Sequence, residues 1–171
     1  MASDEDLAAL LAEGDEAALE ELLRRFQRPL AAFLRRRTAG RDVEDLFQET
    51  WLRVVRSGAR FDRTRRFSTW LFQIAANLCR DWWRRNQRLS SEPTEETVDP
   101  GRSAERTVDR LTADNLLALL PDEQREVLIL RYYHDMSEAE IADILGCPRG
   151  TVKSRAHNAL ARLSAHMERG R

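Results

Sequence analysis

Between Leu89 and Thr107 the chain reads LSSEPTEETVDPGRSAERT, a stretch with two prolines, a glycine and a surplus of hydroxyl and carboxylate side chains. Such a composition buries too little apolar surface to offset the entropy lost on ordering it. It is also longer and more polar than a loop inside one compact domain. The 171 residues are thereby divided into two stretches, 1–88 and 108–171, each short enough to hold only a small core. On both sides the apolar residues recur at three- and four-residue intervals, and no convincing alternating run interrupts them. We therefore expect an all-α fold: two small helical domains joined by a flexible acidic linker over 89–107.

In the first stretch, Leu19, Leu22, Leu23, Phe26, Leu30, Phe33 and Leu34 share one face of a helix over about 16–37. Pro29 should bend or break it, because proline lacks the N–H and crowds the preceding turn. A second helix is predicted over 43–56, with Val43, Phe47, Thr50, Trp51, Val54 and Val55 facing inward. Asp45, Gln48, Glu49 and Leu52 then share the opposite side. An arginine-rich loop follows over 57–66, after which Ser68 is a suitable N-cap for a third helix ending near Arg88. Phe67, Trp70, Leu71, Ile74, Ala75, Leu78 and Trp82 define its buried stripe, while Asn77, Arg80, Asp81, Arg84 and Arg88 lie on another face.

The second stretch predicts a helix over about 108–119, another opened by Pro121, and a third capped by Ser137. Glu140, three residues after Ser137, completes a capping-box pattern. Gly146 ends that helix with a residue that tolerates the left-handed conformation, and a last helix runs over about 149–167. Helix, tight glycine turn and second helix is the helix-turn-helix pattern. With Val152, Ala156, Leu160 and Leu163 packed inward, Arg149, Lys153, Ser154, His157 and Asn158 point outward, with Thr151 and Arg155 beside them. That half of the helix is the part a recognition helix places in the major groove. The side chains are of the right kinds, since Arg and Lys reach guanine or phosphate, Asn pairs with adenine, and the helix N-terminus favours a phosphate.

The formal net charge of −1 conceals strong segregation. Residues 24–41 hold seven arginines and no acids, and 60–88 hold eight arginines against two acids. Residues 89–123 reverse the balance with nine acids against three bases, and 149–171 return to six bases against one acid. Separated basic blocks on a nearly neutral chain suggest two phosphate-facing surfaces. The bland alternative for any one block is a solvated helix face. Cys79 and Cys147 stand far apart without metal-ligand or disulfide-framework spacing, so two inert thiols are expected and no metal site. His134, His157 and His166 have no nucleophile or ligand pattern around them, and there is no glycine-rich phosphate loop. We expect no catalytic residues and no cofactor. No apolar run approaches the ~18 residues of a membrane span, and the acidic start from Met1 to Asp6 lacks the basic region of a signal peptide. A cytoplasmic protein without membrane insertion is expected.

The segment LPDEQREVLILRYYHDMSEAEIADILG followed by GTVKSR resembles the −35 reading domain of bacterial extracytoplasmic-function sigma factors. VEDLFQETWLRV at 43–54 is similar to the helix of that family that docks on the clamp helices of the largest polymerase subunit, and RFSTWLFQIAANLCRDWWRR at 66–85 to the part that melts and reads the −10 element. The two motif sets stand in the family's order and cover nearly the whole chain. The resemblance implies region 2 over 1–88 and region 4 over 108–171. It implies Asp45, Gln48, Glu49 and Leu52 as a docking face for core RNA polymerase, whose flap is a further contact. Arg60, Arg63, Arg65 and Arg66 would neutralise phosphates of opened single-stranded DNA, and Asn77 would lie near a pocket for a flipped base. Arg80 and Arg84 would contact backbone or bases, and Trp83 would either stack on a base or simply cover its neighbours. Arg149, Thr151, Lys153, Ser154, Arg155, His157 and Asn158 would read duplex promoter DNA at −35. His157 and Asn158 depart from the larger or arginine side chains common there, which implies an unusual −35 preference. An anti-sigma factor is an implied partner. The linker would either thread the polymerase cleft or act as a plain tether. A rival reading of the same residues is a free-standing helix-turn-helix regulator, which would bind duplex DNA tightly without polymerase.

Overall fold

The computed structural model describes residues 2–89 and 113–169. The expected linker beyond Leu89, and the expected start of the next helix at 108–112, lie outside the described residues. Helices, one short 3₁₀ turn and loops make up what is described.

The first module is built from four helices. Helix α1 (Asp4–Ala12) begins at a capping box in which the Ser3 hydroxyl accepts from the Asp6 N–H and the Asp6 carboxylate accepts from the Ser3 N–H, both at 3.1 Å. Sequence periodicity points to a first helix only from Glu16. A nine-residue helix is too short to display a period, and the cap uses Asp where Glu or Gln is usual. Helix α2 (Glu16–Thr38) starts on the Asp15 cap and ends at Ala39, which takes a left-handed φ of 53°. It runs through Pro29 without a break, the stronger of the two expected effects. An interior proline costs about 3 kcal/mol or more; Phe26, Leu30, Phe33 and Leu34, buried on both sides of it, supply the compensating packing.

Helix α3 (Val43–Ser57) buries Leu46, Thr50, Trp51 and Val54. The sequence pattern does not place Leu46 inside, whereas Val55, which it does place there, is 48% exposed. Leu46, Thr50 and Val54 lie four residues apart on one line, and that line faces the core. The buried Thr50 hydroxyl donates to the Leu46 carbonyl at 2.7 Å, so it carries no unsatisfied proton. A 3₁₀ turn (Gly58–Arg60) leads to helix α4 (Phe67–Leu89). Ser68 lies inside α4 rather than at its cap. The Glu5 carboxylate of α1 accepts from the Phe67 N–H at 3.0 Å, a long-range substitute for a local cap.

The second module comprises α5 (Ala113–Ala118), α6 (Asp122–Tyr132), α7 (Glu138–Leu145) and α8 (Arg149–Arg169). The Ser137–Glu140 capping box and the left-handed Gly146, at φ 63°, are both present as predicted. In α8 the inward residues are Val152, Ala156 and Ala159, with Leu163 half-buried. Leu160, expected inward, is 44% exposed, because the 152, 156, 159, 163 line leaves it about 70° off the centre of the packed side.

The modules touch along α4. Besides its own stripe, α4 buries Thr69, Phe72, Ala76 and Cys79. These residues, with Gln73 and Arg80, form a second helical line against α7 and the turn before it. Gln73 Nε2 donates to the Asp143 carbonyl at 3.2 Å, and the His134 ring packs on Phe72 at 4.6 Å and on Phe33 at 5.9 Å. Arg37 belongs to the first basic block, where a phosphate-facing or solvated position is expected, yet it is fully buried. Its guanidinium donates to both carboxylate oxygens of Asp122, and Glu126 lies 3.3 Å from it. A buried arginine needs such partners, since an unpaired buried charge is strongly unfavourable.

Ile141 is fully buried in the second module. Ile141→Ala should lower the unfolding free energy of that module by about 2–5 kcal/mol in urea titrations; a change below about 1 kcal/mol would show that the core is assembled differently.

Candidate nucleic-acid interface

The N-terminal half of α8 is anchored from beneath. Val152 and Ala156 seal one side into the core, so Arg149, Lys153, Ser154, His157 and Asn158 are exposed on the other. Thr151 and Arg155 are half-buried at the margin. Arg155 is held by Glu123 at 2.8 Å, and Lys153 stands 3.8 Å from Glu138. The Ser154 hydroxyl donates to the Thr151 carbonyl at 3.0 Å, leaving its lone pairs to accept. The expected outward set is thus brought together on one surface, with Arg155 at its edge.

On α3, Asp45 and Gln48 are exposed, Leu52 is 47% exposed, and Glu49 is half-buried and paired with Arg53 at 2.9 Å. Exposed Val55 extends the apolar part of this face. Sequence reasoning misses it by assigning Val55 to the core. An open groove of about 1060 Å³ runs between α2 and α3, lined by Arg28, Arg35, Asp42, Asp45, Phe47 and Gln48 among others. Acidic α3 residues face basic α2 residues across it.

The third set divides. Arg60 and Asn77 line a common cleft of about 350 Å³ with Arg53, Arg56, Ser57 and Ile74. Sequence reasoning does not single out Arg53 and Arg56, although their offsets of seven and four from Arg60 are visible there. Arg63 turns towards α1, 3.9 Å from Glu13, whereas Arg65 and Arg66 turn towards α7, 4.0 Å from Asp143 and 2.8 Å from Glu140. Arg80 donates to the Ile144 carbonyl at 3.4 Å, and Arg84 pairs with Asp81 at 3.1 Å. Trp83 is half-buried; its indole N–H donates to the Arg37 carbonyl at 3.1 Å and its ring meets Trp82 edge-on at 5.0 Å.

Burial and charge shift several groups. Burial works against the Glu140 carboxylate, but hydrogen bonds from Ser137 and Arg66 outweigh it and hold its pKa below the ordinary value. Burial raises Glu126, with Arg37 pulling the other way. Burial also pushes the Cys79 thiol up to about 12, so it stays protonated and inert. His134 is pushed down to about 4, first by burial and then by the Arg36 charge, which makes it a neutral ring at neutral pH. Among the described residues no cluster of His, Cys, Asp and Glu could hold a metal, and no helix is long and apolar enough to cross a membrane.

Residues 22–89 match the family described as Sigma-70 region 2, and residues 110–163 match Sigma-70, region 4. The RNA polymerase sigma-E factor of Streptomyces avermitilis is 35% identical over 164 residues, covering 92% of this chain and 89% of that protein. The ECF RNA polymerase sigma factor SigM of Mycobacterium tuberculosis is 36% identical over 167 residues, covering 95% and 83%. The chain belongs to the ECF RNA polymerase sigma factors. As a sigma factor it directs core RNA polymerase to promoters and takes part in initiation. The fold agrees: CnrH, solved in complex with the cytosolic domain of CnrY, gives a TM-score of 0.72 at 30% identity, covering 96% of this chain and 97% of that one. The sigma factor RpoE of Bartonella quintana, solved with the anti-sigma factor NepR, gives 0.72 at 26% identity, covering 90% and 98%.

The His134 environment is directly measurable. A depressed pKa means the ring is held neutral where the modules meet, so its favourable contribution is full above the ordinary histidine pKa near 6.5 and is lost as pH falls towards about 4. The raised pKa of Glu126 acts with the opposite sign, so the ring itself must be followed. Proton NMR should show no titration of His134 above pH 5.5 or so; a midpoint near 6.5 would place the ring in water.

Proposed function

We propose that this sigma factor docks on core polymerase through α3 and reads the two promoter elements with α4 and α8. Asp45, Gln48 and Glu49 flank the exposed Leu52 and Val55, a polar and acidic rim around an apolar centre. That combination suits a basic helical surface such as the clamp helices of the largest subunit. The second module is offered to the flap.

For the −10 element, Arg60, Arg63, Arg65 and Arg66 lie along the approach to α4, where cations can follow the phosphates of an opened strand. The cleft shared by Asn77 and Arg60 is suited to one unstacked base, with Arg53 and Arg56 beside it. Arg80 and Arg84 continue along the same helix. Trp83 has its N–H committed to α2, so what it can offer a base is the half-exposed face of its ring. For the −35 element, Arg149, Thr151, Lys153, Ser154, His157 and Asn158 present donors and acceptors to a major groove. Arg155 joins them only by leaving Glu123.

The observation that carries this reading is the exposure of Arg149, Lys153, His157 and Asn158 along α8, on a helix whose other side is sealed into the core. The chemistry of RNA synthesis belongs to the polymerase, and this chain acts as its specificity subunit, not as an enzyme. It works in the cytoplasm and answers to an anti-sigma factor. The complexes of RpoE with the anti-sigma factor NepR and of CnrH with CnrY support that control.

Asp45→Arg should weaken binding to purified core polymerase at least about tenfold, or 1.4 kcal/mol, with an unchanged circular-dichroism spectrum; unaltered binding removes α3 from the docking face. Arg149→Ala and Lys153→Ala should each lower transcription from promoters that depend on a −35 element. A lost base contact costs about 1–3 kcal/mol, and a lost phosphate contact reduces the salt slope of binding by about one. Normal output from such promoters takes these residues off the contact list.

A further inference from the structure

The contact between the modules cannot persist on a promoter. Elements centred near −10 and −35 are about 25 base pairs apart, roughly 85 Å along the duplex at about 3.4 Å per pair. Here the α4 and α7 helices are in hydrogen-bond contact, and α8 begins four residues after α7 ends. A compact chain of 171 residues has a radius of gyration of only about 16 Å.

The contact also occupies the −10 reading surface. Arg66 and Arg65 face Glu140 and Asp143, and Arg80 is tied to the Ile144 carbonyl. Thr69, Phe72 and Ala76, on the adjoining line of α4, are buried. Carboxylates of the second module thus sit where the phosphates of an opened strand would.

The contact is partly polar and incompletely satisfied. Among the described residues, four buried side-chain atoms at it have no hydrogen-bond partner: Arg37 Nε, Arg80 Nε, His134 Nε2 and Glu126 Oε1, the last having only its ion pair with Arg37. Each would be satisfied by water once the modules part. Beside the apolar residues buried there, Phe72, Ala76 and Cys79, it holds an ion cluster of Arg37 with Glu126 and the partly exposed Asp122. Charges regain full hydration on exposure, so the ion cluster fixes the geometry of the contact while adding less to the cost of opening it than the apolar residues beside it.

We propose that Arg37, clasped by Asp122 and Glu126, is a latch holding this sigma factor in a closed form in which the second module masks the −10 reading face of the first. The masking half rests on the α4 reading given above; the latch half does not. If closed outnumbers open by about 99 to 1, single-strand affinity is reduced about a hundredfold, and opening the latch restores it.

Arg37→Glu and Glu126→Arg each set like charges against one another, and the double variant restores the pair with reversed sign. The full chain is studied by small-angle X-ray scattering and by binding of fluorescein-labelled random-sequence single-stranded DNA of about 12 nucleotides, within the usual range of site sizes. Both single variants should expand by several ångströms and bind the strand about 10- to 100-fold more tightly, and the double variant should revert. The two singles change net charge in opposite directions, so a gain in both cannot come from added cations. Asp143→Arg, at an exposed residue facing Arg65, should open the chain more weakly and decides the matter should either single variant lose helix content. Unchanged dimensions in the well-folded variants would overturn the latch and leave the α4 reading intact. Expansion without tighter strand binding would overturn the masking.

Discussion

Helix α4 is buried on two lines at once, and the organisation of the molecule follows from that. One line, Phe67, Leu71, Ala75, Leu78 and Trp82, closes the core of the first module against α1, α2 and α3. The other, through Thr69, Phe72, Gln73, Ala76 and Arg80, meets the second module. The first line is apolar and belongs to any arrangement of the chain. The second is mixed, with an arginine, a glutamine and a threonine among small and aromatic residues, which is the composition of a surface that changes partners. Loss of the apolar line would leave Asn77, Arg80 and Arg84 without a fixed orientation, because a helix of this length is positioned by its packed face.

Charge segregation acquires a physical meaning in this arrangement. The chain is nearly neutral overall, yet Asp122, Glu126, Glu140 and Asp143 of the second module lie opposite Arg37, Arg65 and Arg66 of the first. On the proposed −10 reading, Arg65 and Arg66, which answer carboxylates here, would answer phosphates on a promoter. If the closed form outnumbers the open by about 99 to 1, polymerase must prefer the separated form by about 5.5 kcal/mol to reverse the balance.

Much of this is legible in the sequence, and the remainder is hidden for identifiable reasons. The linker composition separates two helical modules, and Ser137, Glu140 and Gly146 mark the boundaries of α7 because caps and left-handed turns are local chemistry. The outward set on α8 follows from Val152 and Ala156 alone. Helix α1 escapes notice because nine residues give no period and its cap uses Asp6. Leu46 and Val55 are interchanged because α3 offers two apolar lines, and only the packing chooses between them. The burial of Phe72, Ala76, Cys79 and Arg37 is invisible for a different reason. It arises from contact with residues some forty to ninety positions away, and an arginine in a run of arginines carries no mark of its carboxylate partners.

We propose that one chain guides polymerase by gripping two separated promoter elements with two helical modules. Run-off transcription by purified core polymerase, with and without this chain, on genomic DNA fragments, followed by footprinting of the selected promoters, tests this most directly. Defined transcripts are expected only when the chain is present, with protected patches upstream near −35 and near −10. Tight, specific protection of duplex DNA by the chain alone, with no stimulation of the core enzyme, would contradict it.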